Sequence, residues 1–384
     1  MRLAIVTPRF GADIGGGAET LARGWALTAA AIGWQVEAWT TCGRNHYTWA
    51  NDHPAGESWD NGVRVLRFPV IKLNEGPQAG LEGQLAAGAY LSPAEQNRWL
   101  EGGPHSPALY THIRQHAAAT DAVLVMPYAT PMMHTAAWCA PEKVIFVPCL
   151  HNEPYAYLEP VHLLLETVAG VLFNAPEEES LLLNTLRVRP RHHAVLGVGL
   201  PIPDPLPTPH VADPPHLLLI SRLEAGKNVP LVYDYMQKYW QDGGRVRLIV
   251  AGSGPLIPPA HPAFEFRGFI SESEKIELSR SALAMLQPSL NESFGITLLE
   301  SWLAGRPVLV HGEGAVTRGQ VMRAKGGLWF READEFAAAV HWLETHPDQA
   351  SRMGQNGRAY TQQNYTWPAL INRYSHISHT WNTA

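Results

Sequence analysis

Leu3-Ala4-Ile5-Val6-Thr7, followed by Gly15-Gly16-Gly17-Ala18-Glu19-Thr20 and the helical spacing of Ala18 to Ile32, decides the fold class of this chain. An apolar run without alternation reads as a strand buried on both faces. The glycines allow a tight turn, and a helix start leaves free N–H donors beside it. A dinucleotide fingerprint would need GxGxxG and an acidic end to the second strand, but that strand ends in Thr40-Thr41. The turn is therefore either a phosphate cradle or a plain tight turn.

The strand–turn–helix unit recurs. Further strands are predicted at Trp34 to Thr41, Val63 to Phe68, Ala122 to Met126, Val144 to Val147 and Val168 to Phe173. Prolines at 201, 203, 205, 207, 209, 214 and 215 then rule out a core element, because each lacks an N–H and fixes its backbone. Beyond them the pattern restarts. Strands are expected at Leu217 to Ile220, Arg247 to Ala251, Glu265 to Arg267, Ala282 to Gln287 and Val308 to His311. Helices are expected at Val229 to Trp240, Glu272 to Ser279 and Ile296 to Leu303. The expectation is an α/β chain of two doubly wound Rossmann-like domains, 1–200 and 216–364, joined by a linker over 201–215. They should face each other across a cleft, with 365–384 a helix returning to the first domain.

Composition narrows the function. Of 384 residues, 46% are hydrophobic and 17% charged, which suits a well-buried globular chain. A net charge of −6 argues against broad nucleic-acid binding, which needs a basic face, so no nucleic acid is expected as a partner, although the charge leaves room for a local basic patch. Cys42, Cys139 and Cys149 have no metal-ligand spacing and fit a reducing compartment. The N-terminal apolar run is too short for a signal peptide, and Val161 to Phe173 is interrupted by His162 and Glu166. A cytoplasmic protein is expected, with peripheral contact at the inner membrane face left open.

The chemistry concentrates in Pro288-Ser-Leu-Asn-Glu292-Ser-Phe294-Gly295-Ile296-Thr-Leu-Leu-Glu300. Eight helical residues would separate the two carboxylates by ~12 Å, too far to share a proton or one metal ion. They can hold the two ends of one elongated ligand, with the N–H groups at a helix start facing an anion between them. Arg222 and Lys227 stand on a turn after the first strand of the second half, where two cations can neutralise a diphosphate without a metal. Gly252 and Gly254 read as a structural turn, and Gly268-Phe269-Ile270 either as backbone that meets a base edge or as a plain turn. His151 follows the strand Val144 to Val147, and Cys149 beside it reads as a small buried hydrophobe. Trp49 and Trp59, among polar residues, are candidates for an acceptor loop. No HExxH or P-loop supports a metal or ATP site.

Together these residues resemble the retaining GT-B glycosyltransferases of family 4 (glycosyl transferases group 1) over nearly the whole chain. The resemblance implies that Glu292 contacts hydroxyls of the transferred sugar and Glu300 holds the ribose. It implies that Arg222 and Lys227 stabilise the leaving diphosphate, and that Phe294, Gly295 and Ile296 meet the donor. It also implies that His151 contacts the donor sugar, with Gly16 and Gly17 on the phosphate side and Gly268, Phe269 and Ile270 near the base. The implied reaction moves a sugar from a UDP or GDP type donor to a hydroxyl of a glycan, lipid-linked or small-molecule acceptor, with no cofactor. One departure is Asn152, where similar sequences often carry Asp after the histidine. An epimerase of the same architecture and a non-catalytic sugar-nucleotide-binding protein are the alternatives.

Overall fold

Runs of Val, Ile, Leu and Ala become the middle strands of two parallel sheets, where helices cover both faces. The computed structural model describes residues 1–383. Its chain divides into two units, Met1–Leu200 with the chain from Trp367 onward, and Pro201–Thr366.

The first unit contains β1 (Arg2–Val6), β2 (Gln35–Thr41), β3 (Gly56–Asp60), β4 (Val63–Phe68), β5 (Ile71–Leu73), β6 (Gly103–His105), β7 (Ala122–Val125), β8 (Val144–Phe146), β9 (Gly170–Phe173) and β10 (His193–Val195). One sheet has the order β10-β9-β8-β7-β1-β2-β4-β3, while β5 and β6 pair separately. Strand β3 is antiparallel to β4, and the other pairings of the large sheet are parallel. The helix Gly17–Ala31 begins directly on the glycine turn, and its apolar stripe buries Leu21, Trp25 and Ala29. Trp367–Thr383 is a helix of this unit. Its Tyr374 meets Trp25 edge-on at 4.9 Å, and Trp367 sits so close to Gly24 that a Cβ there would stand 1.9 Å from its ring.

The second unit contains β11 (His216–Ile220), β12 (Arg247–Ala251), β13 (Phe264–Gly268), β14 (Ala284–Gln287), β15 (Val308–His311) and β16 (Gly327–Phe330). Their order is β13-β12-β11-β14-β15-β16, every pairing parallel. The order reverses between β11 and β14, the place where open α/β sheets form a crevice at their carboxyl ends.

Two expected boundaries shift. The proline-rich 201–215 counts with the second unit, held by Arg358 Nη2 to the Pro207 carbonyl at 2.7 Å and by N–H bonds from His210 to Arg280 O and Ala212 to Ser281 O, each 3.0 Å. Tyr365 also stays there, its ring edge-on to Phe294 at 4.9 Å, so the returning segment starts at Trp367. Among the described residues no helix is long and apolar enough to cross a membrane.

Candidate functional site

The residues at the carboxyl ends of β11 and β14 meet at the reversal point. After β11 the chain makes a single 3-10 turn, Ala225–Lys227, and Asn228 takes a left-handed conformation with φ 57° before the helix Val229–Gln241. Asn228 Nδ2 donates to the Pro288 carbonyl at 3.2 Å, which ties this loop to the one after β14. Lys227 Nζ then reaches Glu292 Oε1 at 2.6 Å, with the two side chains only 18% and 15% exposed. A cation and a carboxylate predicted from separate motifs thus form one charge-assisted pair.

The backbone beneath is shaped by glycine. A Cβ on Gly252 would stand 1.9 Å from the Ser221 carbonyl, so only glycine allows the turn after β12 to lie against the Ser221–Leu223 segment. Gly295, at φ 87°, turns the chain from the Glu292 loop into the helix Ile296–Leu303. Because that helix starts at Ile296, Glu292 lies in the loop before it, and the assumed eight helical steps shrink to the stretch 296–300. Leu298, Leu299, Trp302 and Leu303 anchor the helix in the core, and Trp302 Nε1 donates to Gly326 O at 2.8 Å. Glu300 lies off this face, half-buried, while the first-turn N–H groups have no acceptor within the helix. Phe294 is buried, its ring packed edge-on against Tyr365.

Glu300 has a partner that sequence reasoning missed. Lys275, in the helix Glu272–Ser281, places Nζ 2.7 Å from Glu300 Oε1 and 2.9 Å from Glu272 Oε2. Burial pulls the ammonium pKa down, but the two carboxylates outweigh it and the net shift is upward. The only sequence cue was the Glu272/Lys275 spacing of three. Gly268, at φ 64°, ends β13 just before this helix, followed by Phe269, 90% exposed, and half-buried Ile270. Arg222 does not share the Lys227 pair. It is exposed, and its Nη2 lies 3.0 Å from Glu224 Oε1.

In the first unit, His151 follows β8, and Gly16 and Gly17 are exposed at the start of the helix after β1. Beneath that glycine turn Arg9 Nη2 and Glu19 Oε1 are buried and paired at 2.5 Å. The His151 loop is set by two carboxylates that sequence reading passed over. Glu178, buried at the start of a short helix, accepts the Leu150 N–H at 2.5 Å and the Asn174 N–H at 2.6 Å. Burial pushes its pKa up to about 8 despite those bonds. Glu153 Oε1 accepts the Tyr128 hydroxyl at 2.6 Å and lies 3.5 Å from His151 Nδ1. Burial, then the Glu153 charge, holds Tyr128 far above the usual phenol range. Asn152 instead accepts from Tyr157 at 2.7 Å, so the carboxylate nearest the imidazole is Glu153. Cys149 is half-buried at φ 53°, with Asn174 Nδ2 3.4 Å from its sulfur. Trp49 packs against the core, whereas Trp59 is 66% exposed. Among the described residues no three His, Cys, Asp or Glu side chains gather as a metal-ligand set.

Residues 207–360, all within the second unit, match the family described as glycosyl transferases group 1. The chain is 27% identical over 165 residues to the D-rhamnosyltransferase WbpZ of Pseudomonas aeruginosa, covering 40% of this chain and 42% of that protein. It is 30% identical over 167 residues to a GDP-mannose-dependent alpha-(1-6)-phosphatidylinositol dimannoside mannosyltransferase of Mycobacterium tuberculosis, covering 41% and 42%. The match thus spans less than half the length of these curated relatives. Its fold is that of sucrose-phosphate synthase from Thermosynechococcus elongatus, with TM-score 0.70, 17% identity, and 100% and 99% of the two chains covered. Anabaena HepE in complex with UDP-glucose gives 0.69 at 15% identity, with both chains covered in full. The fold class is the mixed α/β GT-B architecture, and the similarity in sequence falls on the unit that carries Lys227, Glu292, Lys275 and Glu300.

Proposed function

We propose that this protein is a retaining glycosyltransferase of the GT-B family 4 kind. It takes a sugar from a nucleoside-diphosphate sugar, of UDP or GDP type, and delivers it to a hydroxyl of a glycan, glycolipid or small glycoside. The observation that carries this reading is the Lys227–Glu292 pair at the β11/β14 reversal, in the loop that leads into the helix Ile296–Leu303, whose Ile296 and Thr297 N–H groups have no acceptor within the helix. Lys227 supplies charge for the diphosphate, and Glu292 accepts hydrogen bonds from hydroxyls of the transferred sugar. Glu300 takes the ribose diol, and the Gly268, Phe269 and Ile270 backbone meets the base. Phe294, Gly295 and Ile296 aim backbone N–H groups at the donor.

The chemistry asked of these groups is electrostatic. As the glycosidic bond breaks, negative charge grows on the diphosphate, and donors fixed in advance stabilise that charge at no cost of reorganisation. Lys227, the helix N-terminus and an Arg222 released from Glu224 supply it in place of a divalent cation. Retention follows when the acceptor attacks from the departing side, its proton passing to the donor phosphate. In the N-terminal unit, which is assigned the acceptor, His151 is the candidate to contact the donor sugar, and Gly16 and Gly17 to line the phosphate side.

The test is transfer with purified protein, a panel of UDP- and GDP-sugars and mixed acceptors, followed by proton NMR of the product anomer. Transfer with the donor's anomeric configuration, lost in Lys227→Ala and Glu300→Ala of unchanged fold, is expected. Acceptor-independent isomerisation of the donor, or full turnover in both variants, would overturn the assignment.

A further inference from the structure

Glu300 is a half-buried carboxylate on the face where a doubly charged diphosphate is to bind, and left alone it would repel that ligand. Lys275 removes the conflict. Its ammonium is only 19% exposed and spends two donors on carboxylates, Glu300 Oε1 at 2.7 Å and Glu272 Oε2 at 2.9 Å. The lysine sits in the first turn of its helix, and that turn is fixed. Ser271 Oγ caps it through the Glu274 N–H at 3.2 Å, and the Lys275 N–H bonds to the Ser271 carbonyl at 2.8 Å. The loop leading into this turn is Gly268-Phe269-Ile270, so one side chain joins the base candidates to Glu300.

We propose that Lys275 is a positioning residue for nucleoside recognition: by holding Oε1 of Glu300 it fixes the carboxylate rotamer so that Oε2 faces the 2′- and 3′-hydroxyls of a ribose. This rests on the nucleotide-sugar reading of the same site. The lysine touches no ligand atom itself. Its effect is to turn a mobile, repulsive carboxylate into an oriented acceptor whose charge is partly offset by the ammonium that Glu300 shares with Glu272. A hydrogen bond to a charged acceptor contributes about 1.5–3 kcal/mol, so even one bond from the diol should be worth roughly 10- to 150-fold in affinity.

Calorimetry on the full chain with UDP and GDP, each against its 2′,3′-dideoxy counterpart, tests this. Wild type should prefer the ribonucleotide by at least 10-fold. Lys275→Met should compress that preference to under about 3-fold, and Lys275→Arg, which keeps a cation in reach of Glu300, should restore most of it. A loss of affinity in Lys275→Met that is equal for ribo and dideoxy ligands, preference unchanged, would overturn the positioning role while leaving the donor site standing. Wild type that binds both sugars of the pair equally would overturn it through Glu300. Wild type that binds neither nucleotide would sink the donor-site reading itself, and the lysine's role with it. Melting curves of both variants show whether a lost preference is merely lost folding.

Discussion

Lys227 and Glu292 neutralise each other in the protein without ligand, so a diphosphate must compete with Glu292 for the ammonium. The two substitutions should therefore move diphosphate affinity in opposite directions. At 2.6 Å the gross attraction is roughly 6 kcal/mol for an effective dielectric of about 20. Desolvation and the ordering of two side chains cancel most of that, leaving a net ~2 kcal/mol for a pair this far buried. Glu292→Gln releases the lysine and removes that competition, so nucleoside diphosphate should bind up to ~30-fold tighter. Lys227→Met removes a charge-assisted contact to the phosphates and should weaken binding by roughly 10- to 150-fold. Titration calorimetry with UDP and GDP, which lack the sugar that Glu292 would hold, reads both effects directly. Urea denaturation of the two single variants and the double variant should return a coupling of ~1–3 kcal/mol. Equal weakening of diphosphate binding by both substitutions would refute the competition, and a coupling below about 0.5 kcal/mol would refute the pair.

Glu178 gives a pH prediction. Its folded pKa, about 8, lies above the ordinary 4.5, so the native state holds the proton more tightly than the unfolded chain. The stability it contributes is fully present below pH ~4.5 and is lost as pH rises toward ~8, by about 1.4 kcal/mol per unit at the steepest. Denaturant titrations across that window should show this slope in wild type and its absence in Glu178→Gln; identical slopes would discount the buried proton. Gly24→Ala should press a methyl into the Trp367 ring, where the built Cβ stands 1.9 Å away, and cost ~1–3 kcal/mol by overpacking. Differential scanning should show a lower Tm, with faster proteolysis within 367–383. An unmoved Tm would mean that Trp367 is not seated there.

Strands with one continuous apolar signal were among those legible in the sequence, beside the alternating Val63–Phe68. Arg247–Ala251 and Val308–His311 are strands to the residue, because a central parallel strand is apolar on both faces. The polar Gly56–Asp60 went unseen, since it is an edge strand pairing with β4 by geometry rather than by composition. So did the helix Glu75–Ala86, whose Gly76, Gly80 and Gly83 argue against helix until tertiary packing buries Leu81 and Leu85. At the site, residue types were readable and partnerships were not. Lys227 and Glu292 are 65 positions apart, and only the strand order brings them together. Lys275 and Glu153 belong to no motif, and only the fold sets them beside Glu300 and His151. Arg222 was grouped with Lys227 by proximity in sequence, while Glu224, two residues on, takes its guanidinium.

The chain enters the second unit after Leu200 and leaves it before Trp367, and these two points touch: a Cβ on Gly199 would stand 2.3 Å from the Trp367 ring. The first unit is therefore written in two instalments. On a ribosome, Gly24, Trp25 and Gly199 emerge early, but the helix that covers them waits until the whole of 201–366 has been translated. At ~5–20 residues per second that delay is roughly 10–30 s, during which an apolar groove on a nearly finished unit stands open. Synthesis order alone therefore decides how long Gly24 and Gly199 go without the Trp367 ring that covers them.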